Sequence, residues 1–337
     1  MHPSKVNVPV ALNVFVRPSE LQIVFDAVKK ARPNILFLIG DGPREDSPTD
    51  EANIKQCRKI VEDIDWDCQV YRIYSDKNKG MYRTYFDAQD YIFNIVDRCI
   101  FLEDDVLVSQ SFFRFCEEML ERYKDDLRVH YVTGLNYFGE YDDPDADYFF
   151  CGEGSIWGYA IWKRTYESQN MKYANSPYVI DRMCLAAKQL KPRYEKKIRG
   201  YVNNPHYEGH IPGPEFFKNS LRFSQNQVYI VPTKNMVSNI GVGNGATHSA
   251  DSMRKLPKGV QRLFNMPIYE YQFPLKHPQF VVRDLYYEKY VNRILGWNHP
   301  FVQLHRKISS AMRNLFYGDF SSIRNKIGRV LKRNIET

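Results

Sequence analysis

Three consecutive carboxylates, Glu103-Asp104-Asp105, follow directly on the apolar run Cys99 to Leu102. A buried strand that ends in three acids carries a self-repulsion that only solvent or a cation relieves. Acidic residues favour helix N-termini, so the triplet could cap the next helix, but that helix starts only near Ser109–Ser111. Hard divalent cations are held by carboxylate oxygens, and the carboxyl ends of strands are where open α/β sheets bind ligands. A cation site is therefore the favoured reading of the triplet. Two further groups stand at strand ends. Arg17 follows the apolar run Val8 to Val16 with no acid directly beside it. Asp41 lies in Gly40-Asp41-Gly42-Pro43, which is equally an ordinary turn sequence.

The elements that must position these groups alternate in type. Val8 to Val16, Ile35 to Ile39 and Cys99 to Leu102 read as buried strands, and Cys68 to Tyr74 as a further strand. Between them lie three helical patterns. The first follows Pro18 with Ser19 as expected N-cap, the second carries Ile54, Cys57, Val61 and Ile64, and the third runs from Gly80 to about Val96. Alternation of this kind predicts an α/β fold around a mostly parallel sheet flanked by helices. Past residue 105 the rhythm loosens. A helix over Ser111–Tyr123 and strands over Val129–Val132 and Val228–Val231 are expected, with an acidic turn at Asp142–Asp147 and a Gly-rich loop at Ser238–Ser249. A ligand cleft is expected between the regular first half and the looser second.

The chain has 337 residues, 43% hydrophobic and 26% charged, which excludes a disordered chain or a fibre. Six cysteines stand singly with no Cys-x-x-Cys pair, and they read as reduced thiols in a cytoplasmic protein. No apolar run is long enough to cross a bilayer, and the first residues lack the apolar stretch of a signal peptide. The net charge is +7, but residues 301–337 hold eight Lys and Arg against two acids, so that segment carries +6 and the rest only +1. A nearly neutral body argues against a nucleic-acid partner. In the tail, Leu304, Ile308, Met312, Leu315 and Phe316, then Ile323, Ile327, Val330 and Leu331, repeat at helical spacing beside basic residues. These read either as helices packed on the body or as amphipathic helices on the inner face of an anionic membrane.

The blocks Phe15-Val16-Arg17-Pro18, Gly40-Asp41-Gly42, FLEDDVLVSQSFFRF (101–115) and GSIWGYAIW (154–162) resemble, in this order, glycosyltransferases of the GT-A fold. The similarity is to N-acetylglucosaminyltransferase I and to bacterial relatives labelled hemolysin-activation-like, and it spans roughly residues 8–250. The resemblance implies a UDP-sugar donor and a Mn²⁺ or Mg²⁺ cofactor bound by Asp105. It implies that Glu103 and Asp104 hold ribose and donor-sugar hydroxyls, that Arg17 lies near the nucleotide, and that Asp41 meets the base. Trp157 would lie under the donor sugar, although tryptophan in an apolar segment is equally a core residue, as is Trp162. His248 would touch the metal or the diphosphate, or simply be exposed in its loop. The family's catalytic base precedes an Ile-x-Pro strand end, and counting back from Ile230-Val231-Pro232 reaches Glu215. Here Pro-Glu stands in place of the family's Trp-Asp, and Glu215 after Pro214 also suits a helix start. Glu153 is the alternative acid.

The implied function is an inverting, metal-dependent glycosyltransferase acting on a hydroxyl acceptor, a bacterial surface glycan or its lipid-linked precursor. Three alternatives compete with it, of which a haloacid-dehalogenase phosphatase would need an Asp-x-Asp near the first strand, where none stands. A sugar nucleotidyltransferase should carry a Gly-rich loop after the first strand, where this chain has Arg17-Pro18-Ser19. A carbohydrate-binding protein on a decayed transferase fold would not need the intact triplet. The expected organisation is a GT-A-like domain over residues 1–265, split near 105 into nucleotide-binding and donor-sugar/acceptor halves, and a helical extension over 266–337.

Overall fold

The computed structural model describes residues 1–143, 145–169, 176–186, 221–222, 224–242, 256, 258–295 and 300–316. Its first half follows the alternation expected: β1 (Val10–Asn13), α1 (Pro18–Ala31), β2 (Ile35–Gly40), α2 (Asp50–Ile60), β3 (Gln69–Tyr74), α3 (Met81–Phe93) and β4 (Arg98–Leu102). Next come β5 (Val106–Val108), α4 (Gln110–Arg122), β6 (Val129–Thr133), β7 (Tyr148–Cys151), β8 (Tyr159–Trp162), α5 (Lys163–Ser168) and α6 (Pro177–Ala186). The last described elements are β9 (Val228–Pro232), β10 (Val237–Asn239), α7 (Lys258–Gln261), α8 (Leu285–Leu295) and α9 (Pro300–Phe316).

Eight strands form one sheet in the order β3-β2-β1-β4-β8-β6-β9-β7. Strands β1 to β4, β6 and β9 run one way, and β7 and β8 run against them. The fold is thus α/β, with a mostly parallel sheet flanked by helices. The continuous apolar runs are needed because the central strands are buried on both faces, as Leu36, Phe37, Leu38, Ile100 and Phe101 are. Leu263, Leu275, Tyr287 and Val291 join the same core, so the chain over 263–291 is built onto the sheet.

Several expectations change. Helix α1 starts at Pro18, with Arg17 as its N-cap and no side-chain capping bond, so Ser19 lies inside the first turn. The fixed φ of proline suits the first helical position, and its missing N–H removes one of the donors a helix start leaves unpaired. The stretch expected as a Gly-rich loop begins with β10, which pairs antiparallel with β5 in a separate two-stranded ribbon. Trp162 is buried and its indole N–H donates to the Leu120 carbonyl at 2.9 Å, so it is a core residue. Cys57, Cys68, Cys99, Cys116 and Cys151 are free thiols. Among the described residues no helix is long and apolar enough to cross a membrane.

Candidate active site

Strands β1 and β4 are parallel neighbours, with Val10 opposite Ile100 and Leu12 opposite Leu102. The chains leaving them, Val14–Arg17 and Glu103–Asp105, therefore emerge side by side. Pro18 disfavours a helical backbone at the residue before it, and Arg17 sits at φ −117° and ψ 73°. That backbone sends its guanidinium across to the acids. Arg17 Nη1 donates to Asp104 Oδ1 at 3.1 Å and to Asp105 Oδ2 at 2.5 Å. Both aspartates are buried, while Glu103 is half-buried.

The ribbon completes the site from a distant part of the chain. Pairing of Val106 with Asn239 carries β10 back over the triplet. The Ile240 N–H donates to the Asp105 carbonyl at 2.8 Å, and Asn239 Nδ2 approaches Asp105 Oδ1 at 3.4 Å. At Gly241 an added Cβ would stand 2.0 Å from Asp105 Oδ2, so any side chain there would displace the carboxylate. Asn239 and Gly241 are site residues that the sequence reading missed. The Val-Ser-Asn-Ile-Gly pattern before the glycine-rich stretch was the only local signal.

The site is short of positive charge. Burial pushes the Asp104 carboxyl up to about 7, against the pull of Arg17 and with a further push from the Asp105 charge. Burial raises Asp105 as well, opposed by Arg17 and by the Asn239 amide. Two buried carboxylates facing one guanidinium would be stabilised by a further cation. A hard divalent ion fits this donor set. Among the described residues no three His, Cys, Asp or Glu side chains converge on one point, so the ion would take one or two aspartates and complete its shell from water and substrate oxygens.

The other residues singled out in sequence lie as follows. Asp41 is buried at the end of β2, and its carboxylate accepts from backbone N–H groups. Gly42 and Lys79 reach Oδ1 at 2.9 Å, while Lys79 and Gly80 reach Oδ2 at 3.1 and 2.9 Å. It ties the β2 end to the start of α3, and these four contacts occupy the lone pairs it offers. Trp157 is half-buried with its ring 5.2 Å from Phe264, and Phe264 bridges to Asn239, which links the Trp157 segment to the ribbon above Asp105. Gly158 beside it has φ +58°, and an added Cβ would meet Val237 at 2.7 Å. Glu153 does not join the site. The β7 register puts Cys151 opposite Tyr229 near the start of β9, and Glu153, just beyond, is ion-paired with Arg222. Glu215 and His248 lie outside the described residues.

No protein-family model matches the chain, and no curated protein matches its sequence. Among solved structures it is similar to the inositol-1-phosphate CTP transferase from T. maritima, at 10% identity and a TM-score of 0.38, over 77% of this chain and 96% of that one. It is also similar to the apo form of mouse xyloside xylosyltransferase 1, at 11% identity and a TM-score of 0.35, over 67% of this chain and 85% of that one.

Proposed function

We propose that the protein is a metal-dependent glycosyltransferase that moves a sugar from a UDP-sugar to a hydroxyl acceptor with inversion. The donor sugar is N-acetylglucosamine or a related hexose, and the acceptor a bacterial surface glycan or its lipid-linked precursor. The observation that carries this reading is the buried Asp104–Asp105 pair held by Arg17 where β1 and β4 end together. It stands at the ligand-binding end of an open α/β sheet and lacks one positive charge. The order of sequence blocks along the chain adds the transferase to the geometry.

Each group has a defined task in this reading. Asp105 holds Mn²⁺ or Mg²⁺, which when bound neutralises the charge that develops on the leaving diphosphate. Arg17 fixes the Asp105 carboxylate and adds positive charge on the nucleotide side. Asn239 and Gly241 set the orientation of Asp105 from above, leaving no room for it to turn away. Glu103 and Asp104 bind ribose and sugar hydroxyls. Asp41 shapes the nucleotide side by fixing the 79–80 turn, and Trp157 lines the donor-sugar side. Glu215 takes the acceptor proton, with His248 on the metal or diphosphate.

Incubation with UDP-sugars and Mn²⁺ tests the proposal by the nucleotide released. Free UDP is the expected product. With added pyrophosphate, cleavage of the nucleotide-sugar to UTP and sugar 1-phosphate would instead identify a nucleotidyltransferase, and absence of both reactions across a nucleotide-sugar series would leave a binding protein.

A further inference from the structure

Helix α9 is inverted with respect to an ordinary surface helix. Phe301, Leu304, Ile308, Met312 and Phe316 recur at intervals of three or four residues and so share one face. Each is between 51% and 85% exposed. Among the described side chains of α9, Val302, Arg306, Ser309 and Ser310, on the remaining circumference, are the half-buried ones, while His305 is exposed within the stripe. Arg306 explains the orientation. Its guanidinium donates to the Ile294 carbonyl at 3.3 Å and also to the Leu295 carbonyl, so it caps the C-terminal end of α8. Anchoring through Arg306 turns the large apolar side chains outward. A helix packed for water would show the opposite arrangement.

We infer that this outward face of α9 is a docking surface for an anionic lipid bilayer, against which the helix lies in the interfacial plane. The charge of the segment selects that occupant. Helix α9 contains Arg306, Lys307 and Arg313 and no Asp or Glu, and residues 301–337 together carry +6 while the rest of the chain carries +1. An apolar stripe on an acid-free helix within a basic segment is the combination that binds the boundary between headgroups and acyl chains. Seventeen residues give a helix about 25 Å long, so the stripe runs its whole length. The inference is independent of the reaction the site catalyses.

Sedimentation of the full chain with vesicles tests it. Equal parts of phosphatidylcholine and phosphatidylglycerol at low salt should carry the protein down. Phosphatidylcholine alone, or high salt, should weaken partitioning roughly tenfold or more. The triple variant Leu304→Ser, Ile308→Ser, Met312→Ser should cut partitioning roughly a hundredfold, because three exposed apolar side chains no longer enter the bilayer. Its thermal melting should be unchanged. Lys307→Gln with Arg313→Gln should cut it roughly tenfold. Failure of the full chain to sediment with the anionic vesicles overturns the inference. So does a triple variant that binds like the parent, or one whose melting falls, which would mean that the chain covers the stripe itself. Light scattering provides the remaining outcome: a dimer that the triple variant turns into a monomer would make a second copy the occupant, and the lipid assignment would be wrong.

Discussion

Two buried clusters of charge lie in the same fold, and they are built on opposite principles. At the carboxyl ends of β1 and β4, two aspartates face a single guanidinium, and burial leaves Asp104 with a carboxyl pushed up to about 7. Beyond the end of β7, Glu153 and Glu288 face Arg222 and Arg283. Arg283 grips Glu288 with two bonds of 2.8 Å, Arg222 binds Glu153 and lies 3.8 Å from Glu288, and the Gly152 N–H donates to Glu288 at 2.7 Å. The second cluster is balanced and rich in hydrogen bonds, and it ties α8 to the 152–153 corner. Desolvated charges are stable in that form. The first is unbalanced, and in the proposed function a bound cation would complete its charge.

The largest expected effect comes from unbalancing the strut. Glu288→Gln leaves Arg222 and Arg283 with one buried carboxylate between them, and it should cost about 3 kcal/mol or more of unfolding free energy. Urea denaturation reads this directly, and a loss below 1 kcal/mol would show that the network is ornamental. Next in size is Asp105→Asn. It should lower UDP release from a UDP-sugar by ~10²-fold or more, with melting preserved, because a neutral amide is a poor ligand for a hard cation. EDTA should abolish activity in the parent and Mn²⁺ restore it. Full activity in chelator would break the contrast between the clusters.

A third pair extends the comparison to the sheet edge. Asp50, buried at the start of α2, takes hydrogen bonds from Arg44 and Ser47, and its carboxyl is held down at about 2. A depressed carboxyl contributes stability above its unfolded value, near 4, and the contribution disappears as the pH falls through about 2. Arg44 is a third exposed, so screening reduces the effect to about 1–2 kcal/mol. The stability gap between the parent and Arg44→Gln should therefore be open at pH 6 and close as acid is added. A gap that stays constant with pH would mean that Arg44 acts through its contact with the Phe15 ring instead.

What the sequence disclosed about all this follows the range of the interactions. The strands at 10–13, 35–40 and 98–102 were legible because burial on both faces forces continuous apolar runs, and the edge strand at 69–74, which is only partly buried, was legible from its place between two helical patterns. Strands β7 and β8 escaped because Tyr148–Cys151 and Tyr159–Trp162 sit among turn residues and aromatics that mask the strand pattern. Within the site, the triplet was legible because it stands directly after β4, and Arg17 because it closes the apolar run Val8 to Val16, although β1 itself ends at Asn13. Their mutual salt bridge was not, since it spans 87 and 88 residues. Asn239 is a neighbour of Asp105 only through the β5–β10 pairing, 134 residues away, and no local pattern announces such a contact. Asp41 shows the limit from the other side. Its place at a strand end was plain, but that the backbone of Lys79 and Gly80 claims its carboxylate depends on how α3 is entered.

The smallest expected effect is the most discriminating, because it repeats the chemistry of Glu288→Gln at the other cluster. Asp104→Asn also replaces a buried carboxylate with its amide, yet here it removes a charge in excess. The amide oxygen still accepts from Arg17, and the aspartate pair no longer repels itself. Unfolding free energy should therefore stay within about 1 kcal/mol of the parent or rise, the behaviour of a site where stability is given up for function. The same variant should lose the thermal shift that UDP and Mn²⁺ together give the parent, since a ligand stabilises only in proportion to its binding. If Asp104→Asn instead unfolds as readily as Glu288→Gln, the two clusters are alike. The acids at the end of β4 would then be a strut for the Arg17 turn, and the proposed cation would have no charge deficit to fill.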